Sequence, residues 1–390
     1  QIYMSAKEIL LVTNYFPPEK GAAPNRMYSL AKALQESGFR VHVVCPKPNY
    51  PTGQIFEGYK DGFYKKTTEE NLITHRLWLW ASNSSNKFLR LLSMLSFSFS
   101  LSLFFLFRKN PKIIFIQYSP VFVGFTAVFW SWVLGKKRIL NVSDLWPLAG
   151  LEMGLLNKGT YYSILEKMER FCYRKSNLIV GQSEEILSHV TKYCKTPTFL
   201  YRNIPDFTPP TITEKPIETP IKLVYAGLLG LAQGLAEICH KIQLPDGIEL
   251  HIYGGGPEAD IISKISKESI FYHGEVDRIE LHWALQQYDI AFIPLTNRIY
   301  GSVPSKIFEY TRLGLPVLYF AGGEGGDLVE KHQLGWNIPV SDFDALQNFI
   351  SNLNVEKARF FLKEDIKNKS IKAFNFKEQF EALNKAINDL

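Results

Sequence analysis

The residues with the clearest chemical potential lie between Gly301 and Val317, in the stretch GSVPSKIFEYTRLGLPV. Lys306 and Glu309 are three positions apart, so a helix puts them on one face, about 4.5 Å apart along its axis. An ammonium and a carboxylate at that spacing could meet the diphosphate and the ribose of one nucleotide. The start of a helix adds backbone N–H groups and a partial positive charge that favour phosphate. The same pair could equally be an ordinary surface ion pair. The helix itself has marked ends. Pro304 sits near the first turn, where a missing N–H costs little. Gly314 can take the left-handed cap, and Pro316 blocks continuation and opens an apolar run, Pro316 to Phe320, that reads as a buried strand.

Other candidates sit where strands end. Ile139 to Val142 reads as a strand and runs into Ser143-Asp144-Leu145-Trp146-Pro147. In open α/β sheets ligands bind beyond the carboxyl ends of strands, so Asp144 is placed either as an active carboxylate or as a turn residue. Near the start, strand Glu8 to Thr13 is followed by the loop Asn14 to Ala23, a helix from Pro24 to Gly38 and a strand from Phe39 to Cys45. This βαβ opening predicts a parallel sheet. Its loop has the single glycine Gly21, not the GxGxxG of a dinucleotide fold, and brings Arg26 to a helix start. Pro46 to Gly62 is long and rich in Pro and Gly, so it reads as functional or unstructured. Its Tyr50 and Tyr59 could stack on a sugar or lie near a membrane.

With 390 residues, two domains are expected. Asn203 to Pro220 holds five prolines and reads as an extended linker. After it the β/α rhythm repeats. Strand Ile221 to Ala226 leads to Gly227, strand Glu249 to Tyr253 leads to Gly254-Gly255-Gly256, and strand Ile290 to Pro294 leads to the Lys306 helix. Glycines such as Gly227, Gly254 and Gly256 let a backbone come close to a ligand. Asp342-Phe-Asp344 has metal-like spacing but opens a helix, so it reads as a cap. No histidine cluster suggests a metal. The domains are expected at 4–205 and 221–370, joined by a linker at 206–220. A terminal helix at 371–390 could return to the N-terminal domain.

The charge is uneven. The chain carries a net +6, but residues 1–205 hold 26 basic and 13 acidic side chains, whereas 206–390 hold 18 and 25. A basic first half calls for an anionic partner. No nucleic-acid module is present. Leu91 to Phe107 is uncharged for 17 residues between Arg90 and Arg108. It reads as a buried helix, an interfacial helix or a membrane span. Val121 to Leu134 is a second apolar segment and precedes Lys136-Lys137-Arg138, a pattern suited to anionic headgroups. Cys45, Cys172, Cys194 and Cys239 are scattered, which argues against a disulfide framework or zinc site and suits a reducing compartment. No secretory leader is visible, and Gln1-Ile2-Tyr3 before Met4 read as added residues.

Taken in order, ILLVTNYFPPEKGAAPNRMYSLAKAL, PNYPTG, SDLWP, YAGLLGLAQGL, YGGGPE and VPSKIFEYTRLGLPVL resemble the GT-B-fold glycosyltransferases of family four. The likeness covers nearly the whole chain and is nearest to the bacterial branch of O-antigen, capsule and colanic-acid assembly. It implies an α/β, GT-B architecture of two Rossmann-like domains facing a central cleft. It also implies a nucleotide-sugar donor held by the second domain, transfer with retention, and no cofactor or divalent metal. By this resemblance Glu309 matches the glutamate that binds the donor ribose. Ser305 and Lys306, after the helix start at Pro304, match the segment beside the diphosphate, Gly21 the loop near the reacting centre, and Asp144 the DLWP aspartate.

There are departures from the family. The position eight before Glu309, where many members carry a second glutamate, is Gly301, so hexose contacts would fall to backbone around Ser302 and Val303. The Arg and Lys common after the first strand of the second domain are absent from Gly227 to Gly234, which leaves Lys306 with Arg202 or Arg298 to meet the diphosphate. Gly21-Ala22 stands where Gly-Gly is common.

The resulting expectation is a retaining transferase that moves an N-acetylated hexose from a UDP-sugar to a polyprenyl-diphosphate-linked saccharide. It would be cytoplasmic, attached to the inner face of an anionic membrane, with Arg26, Tyr50 and Tyr59 on the acceptor side. A nucleotide-sugar epimerase of the same fold, or a non-catalytic nucleotide-sugar-binding subunit, are the alternatives.

Overall fold

The computed structural model describes residues 7–50, 52–82, 86–212, 215–265 and 267–390. The expectation about Gln1 to Met4 lies outside them. The chain divides into two compact units, one of residues 1–203 with 377–390, the other of residues 204–376.

In the first unit, β1 (Glu8–Val12), α1 (Ala22–Glu36) and β2 (Arg40–Pro46) form the opening βαβ. The apolar run ILLV is fully buried, as a strand covered on both faces of a parallel sheet must be. A hairpin follows, β3 (Tyr64–Glu69) and β4 (Leu72–Leu77). It falls in a region where the sequence reading placed no element. Its outer strand YKKTTE is polar and exposed, and its turn uses Glu70 in a left-handed conformation (φ 54°) instead of a glycine. Then come α2 (Lys87–Phe107), β5 (Ile113–Gln117), α3 (Val121–Val133) and β6 (Lys137–Val142). They are followed by α4 (Leu148–Glu152), α5 (Thr160–Lys175), β7 (Leu178–Gly181), α6 (Glu184–Thr191) and β8 (Thr198–Leu200). Among the described residues the sheet order is β3-β4-β2-β1-β5-β6-β7-β8, parallel except for β3 against β4. Strand order reverses between β1 and β5, the place where such sheets bind ligands. The last helix, Phe376–Asn388, also belongs here. The Lys7 ammonium donates to Asn388 at 2.7 Å, and Gln379 exchanges two hydrogen bonds with the Arg202 backbone.

α2 is the one described helix long and apolar enough to cross a membrane by length and composition. One face, with Phe97, Leu101, Phe104 and Phe105, is buried in the unit, where the helix packs on α3. The other carries an exposed apolar stripe, with Phe88 at 63% and Phe99 at 62% exposure, continued by Leu103 and Leu106.

The second unit is built from β9 (Ile221–Ala226), α7 (Leu235–Lys241), β10 (Ile248–Tyr253), α8 (Ala259–Ser263), β11 (Ile270–Gly274) and α9 (Arg278–Ala284). β12 (Ile290–Pro294), α10 (Lys306–Arg312), β13 (Val317–Phe320), α11 (Gly323–Lys331), β14 (Gly335–Asn337) and α12 (Phe343–Ser351) follow, and two more helices, Val355–Ala358 and Lys363–Ala373, end it. Among the described residues the sheet is wholly parallel, in the order β11-β10-β9-β12-β13-β14, and reverses between β9 and β12. Its core includes Leu223, Leu250, Ile290, Phe292 and Leu318, each at most 3% exposed. Asp342 caps α12, its side chain accepting from the Ala345 N–H at 2.9 Å, so this aspartate serves the helix.

Candidate active site

In the second unit α10 ends as a Schellman cap. Gly314 is left-handed (φ 81°), the Leu315 N–H bonds Tyr310 O at 3.0 Å, and the Gly314 N–H bonds Thr311 O at 3.0 Å. The buried Tyr310 fixes the helix to the end of β9. Its hydroxyl donates to Ala226 O at 2.6 Å and accepts from the Ala226 N–H at 3.0 Å. α10 is thereby held against the loop that starts at Gly227.

Gly227 has φ 148°, and a Cβ there would meet the Lys306 ammonium nitrogen at 2.5 Å. A side chain here would be strained at this φ and would push the lysine aside. Lys306 Nζ also lies 5.7 Å from the centre of the Tyr225 ring. Burial lowers the Lys306 pKa and the Glu309 charge partly restores it.

Gly254 and Gly256 act in a way the sequence did not suggest. A Cβ on Gly254 would meet Gly227 O at 1.8 Å, and one on Gly256 would meet Leu229 O at 2.7 Å. These glycines let the loops after β9 and β10 lie backbone on backbone, tied by Leu229 N–H to Gly255 O at 2.9 Å.

Glu309 is one turn further along α10. Its Oε1 accepts from His282 Nε2 at 2.7 Å and lies 3.4 Å from Arg278 Nε, both on α9. Among the described residues no hydrogen bond reaches Oε2. Burial pushes the carboxyl up, but the His282 hydrogen bond and the charges of Arg278, His282 and Lys306 outweigh it and leave it below the usual range. Phe207 backs the cluster, its ring 4.5 Å from that of His282 and 5.4 Å from the Arg278 guanidinium. Glu309 is thus a buffered, oriented acceptor and not half of a surface pair with Lys306. The sequence reading missed His282. A lone histidine on a short amphipathic helix gives no signal until α9 and α10 are placed side by side.

The neighbouring positions are also defined. Ser305 O accepts from the Phe308 and Glu309 N–H groups, each at 3.1 Å, Pro304 O accepts from Ile307 at 3.1 Å, and Val303 is buried. Ser302 N–H bonds Ile299 O at 3.1 Å. Gly301 has φ 84°. Arg298 is exposed, its guanidinium 5.7 Å from the centre of the Tyr300 ring. Arg202 belongs to the other unit, where it donates to Gln182 O at 3.4 Å.

In the first unit Asp144 leaves the end of β6. Ser143 before it is held twice, Gln117 donating to its Oγ at 3.0 Å and Gln182 to its carbonyl at 2.6 Å. Trp146 O beyond it accepts from the Tyr118 hydroxyl at 2.9 Å. Asp144 is exposed, yet the surrounding protein desolvates its carboxyl enough to raise its pKa, an effect that Arg26 opposes. Burial lowers the Arg26 pKa, with Asp144 and Tyr201 acting the other way. Arg26 Nε is buried without a partner among the described residues. Gly21 is the N-cap of α1, its carbonyl accepting from the Asn25 N–H at 3.2 Å.

The loops after β1 and β2 are joined by two buried charges that the sequence reading did not single out. Glu19 Oε1 accepts from the Asn49 and Tyr50 N–H groups, each at 2.9 Å, and Oε2 from Phe16 at 3.3 Å. Arg76 donates to Pro46 O at 3.1 Å, and to Phe16 O and Pro17 O. Tyr50 so held packs edge-on against Tyr15 at 5.4 Å. Tyr59 lies apart, its ring facing Lys65 and Arg76. Among the described residues no group of three His, Cys, Asp or Glu side chains could hold a metal ion.

Comparison with known proteins follows this division. Residues 21–193 match a glycosyl transferase 4-like domain, and residues 222–354 match glycosyl transferases group 1. Sucrose-phosphate synthase from Thermosynechococcus elongatus is similar in structure, with TM-score 0.71 and 14% identity over 98% of both chains. HepE of Anabaena in complex with UDP has TM-score 0.68 and 11% identity over 98% of this chain and 100% of that one. WaaG, a glycosyltransferase involved in lipopolysaccharide biosynthesis, has TM-score 0.64 and 12% identity over 97% of this chain and 99% of that one. No curated protein sequence matches. The two family models between them account for both parallel-sheet units, and the chain is a glycosyltransferase of GT-B fold.

Proposed function

We propose that this glycosyltransferase moves a hexose, N-acetylated, from a UDP-sugar to a polyprenyl-diphosphate-linked saccharide in the synthesis of a cell-surface polysaccharide such as O-antigen or capsule. The observation that carries the donor reading is the arrangement of α10. Glu309 has one oxygen engaged by His282 and Arg278, which leaves Oε2 to accept from ribose hydroxyls. Lys306, one turn earlier against Gly227, would face the diphosphate. HepE, of the same fold, is known in complex with UDP and with UDP-glucose, which supports UDP as the nucleotide.

In the proposed reaction the acceptor hydroxyl attacks the anomeric carbon from the leaving-group face. The bond from that carbon to the diphosphate oxygen breaks, the new glycosidic bond forms on the same side, and the hydroxyl proton passes to the departing diphosphate. Configuration is retained. Lys306 stabilises the charge that develops on the leaving group. Asp144, beside Arg26, orients the acceptor hydroxyl or stabilises the positive sugar. No resident metal or cofactor is required in this reading, as the family resemblance implies.

The acceptor and the location are read from the first unit. The exposed stripe of α2 is flanked by Arg108 and Lys109, and Lys136 and Lys137 follow α3. An apolar face ringed by cations suits an anionic membrane surface, so we place the protein on the inner face of the cytoplasmic membrane. WaaG, involved in lipopolysaccharide biosynthesis, shares the fold.

A thermal-shift screen of wild type and Glu309→Ala against UDP, GDP, TDP and CMP tests the donor. Stabilisation of wild type by UDP, lost in the variant, is expected. Stabilisation by another nucleotide would replace UDP, and none by any would overturn the donor reading. Co-sedimentation with anionic liposomes at low salt tests the membrane reading, and its absence would end it.

A further inference from the structure

At the reversal of strand order in the first unit, beyond the ends of β1 and β5, the structure holds a cavity of about 370 Å³. That volume lies in the range of small-molecule sites, about 300–1,000 Å³. Its walls are aromatic and amide-bearing. Tyr15 and Asn14 come from the loop after β1, Tyr50 and Asn49 from the loop after β2, and Trp146 from the DLWP turn. Rings beside amides suit a sugar, whose C–H face packs on an aromatic plane while its hydroxyls bond the amides. Ser119, at the end of β5, adds a buried hydroxyl with no partner among the described residues.

The site is built in advance of any ligand. Glu19 holds the Asn49 and Tyr50 backbone in place, Tyr15 and Tyr50 brace each other, and Tyr118 holds Trp146 O. α2 adds a further wall through Arg90, Met94 and Phe97, and α3 and α5 add an apolar one with Val121, Phe122 and Leu165. Arg90 is the only charged side chain among the described residues of the lining. A largely neutral, aromatic cavity with one cation at its α2 side fits a sugar joined to an anion.

The opposite face of α2 is the exposed apolar stripe. The cavity and the lipid-facing surface are therefore separated by one helix, about 10–12 Å across. We infer that the cavity seats the first sugar of a lipid-linked acceptor, with Arg90 on the diphosphate that joins this sugar to the lipid. Trp146 in the cavity wall is two residues from Asp144, so a long glycan whose first sugar sat here would place its growing end well beyond the proposed reacting centre. The chain accordingly acts early, on an acceptor of one or two sugars. This rests on the lipid-linked reading of the acceptor given above.

The test is calorimetric titration of the full-length protein, with UDP present, by geranyl-diphosphate-linked N-acetylglucosamine, N-acetylgalactosamine and glucose. The same three sugars linked to geraniol without diphosphate, and geranyl diphosphate alone, are the controls. For at least one sugar the diphosphate compound should bind about tenfold or more tightly than both its phosphate-free partner and geranyl diphosphate. Arg90→Gln should remove most of the margin over the phosphate-free compound. Trp146→Leu should weaken both sugar compounds alike. UDP-induced thermal shifts in both variants should match wild type, which shows that they fold. Geranyl diphosphate binding as well as its glycosides would mean a lipid-diphosphate site with no sugar seat and would overturn the proposal. So would wild-type binding by Arg90→Gln or by Trp146→Leu, or no binding of any panel compound. Loss of the UDP shift in wild type would instead strike the donor reading.

Discussion

His282 Nε2 lies 2.7 Å from Glu309 Oε1, and this contact decides which oxygen of the glutamate is left for a ligand. A hydrogen bond to a charged group contributes about 1.5–3 kcal/mol. His282→Leu is therefore expected to raise the donor KM by about 10-fold or more with a smaller effect on kcat, and His282→Gln to recover part of it. Binding of UDP and 2′-deoxy-UDP supplies the sharper check. Wild type should favour UDP, and His282→Leu should lose most of that preference. If the variant discriminated as well as wild type, His282 would be no more than a packing residue.

Gly227 is predicted to be as intolerant as Lys306. Alanine at 227 would place its Cβ on the lysine ammonium, at a φ that side chains rarely adopt. Such strain costs about 1–3 kcal/mol, and displacing the lysine adds a functional loss. Lys306→Ala should lower kcat by about 10²–10³-fold, the usual loss when a group meeting developing charge is removed. Gly227→Ala should lower both kcat and Tm. A Gly227→Ala enzyme with wild-type turnover would remove Lys306 from the leaving-group role.

The sequence announced its strands well where they were buried and apolar. The runs at β1, β9 and β12 are continuous hydrophobic segments with turn residues beyond them, and each lies within a residue of its expected place. It hid the β3–β4 hairpin, because β3 is polar and β4 buries His75 and Arg76. Lys306 and Glu309 were legible because they are close in sequence. Their partners were not. His282 is 27 positions from Glu309, and Glu19 is 30 from Asn49, so only the folded chain brings them together. The glycines were visible as glycines, but that Gly254 and Gly256 serve loop-on-loop packing follows from a three-dimensional approach no spacing encodes.

Stacked histidines should make the protein acid-sensitive. His75 packs parallel to His42 with nitrogens 3.0 Å apart, and its other nitrogen meets the Tyr64 hydroxyl at 2.7 Å. Burial, His42, Lys66 and Arg108 hold His75 at about 4, and burial also lowers His42, against the pull of Glu8. His251 and His273 form a second stack, likewise lowered by burial. The unfolded chain takes up protons near pH 6.5, the native state only near 4 at His75. Stability is thus fully present above about 6.5 and declines as the pH falls toward 4, His75 alone accounting for about 3 kcal/mol. Urea unfolding between pH 7 and 4 should show the decline, and His75→Phe should flatten it by about one proton. An unchanged slope would refute the assignment.

Glu19 offers a separation of stability from chemistry on the acceptor side. Three backbone N–H groups converge on its carboxylate, from Phe16, Asn49 and Tyr50. Burial raises its pKa, while those donors and Arg76 pull it down. Glu19→Ala strands three donors and leaves the buried Arg76 guanidinium without its nearby countercharge, a loss of about 3 kcal/mol or more. Glu19→Gln keeps an acceptor oxygen for the Asn49 and Tyr50 amides and gives up the charge, so it should lose less. Because the two loops carry Tyr15, Asn49 and Tyr50, the glutamine variant should raise the acceptor KM while the donor KM, set in the other unit, stays within about twofold. Equal changes in both constants would mean that Glu19 supports the fold as a whole and not the acceptor side in particular.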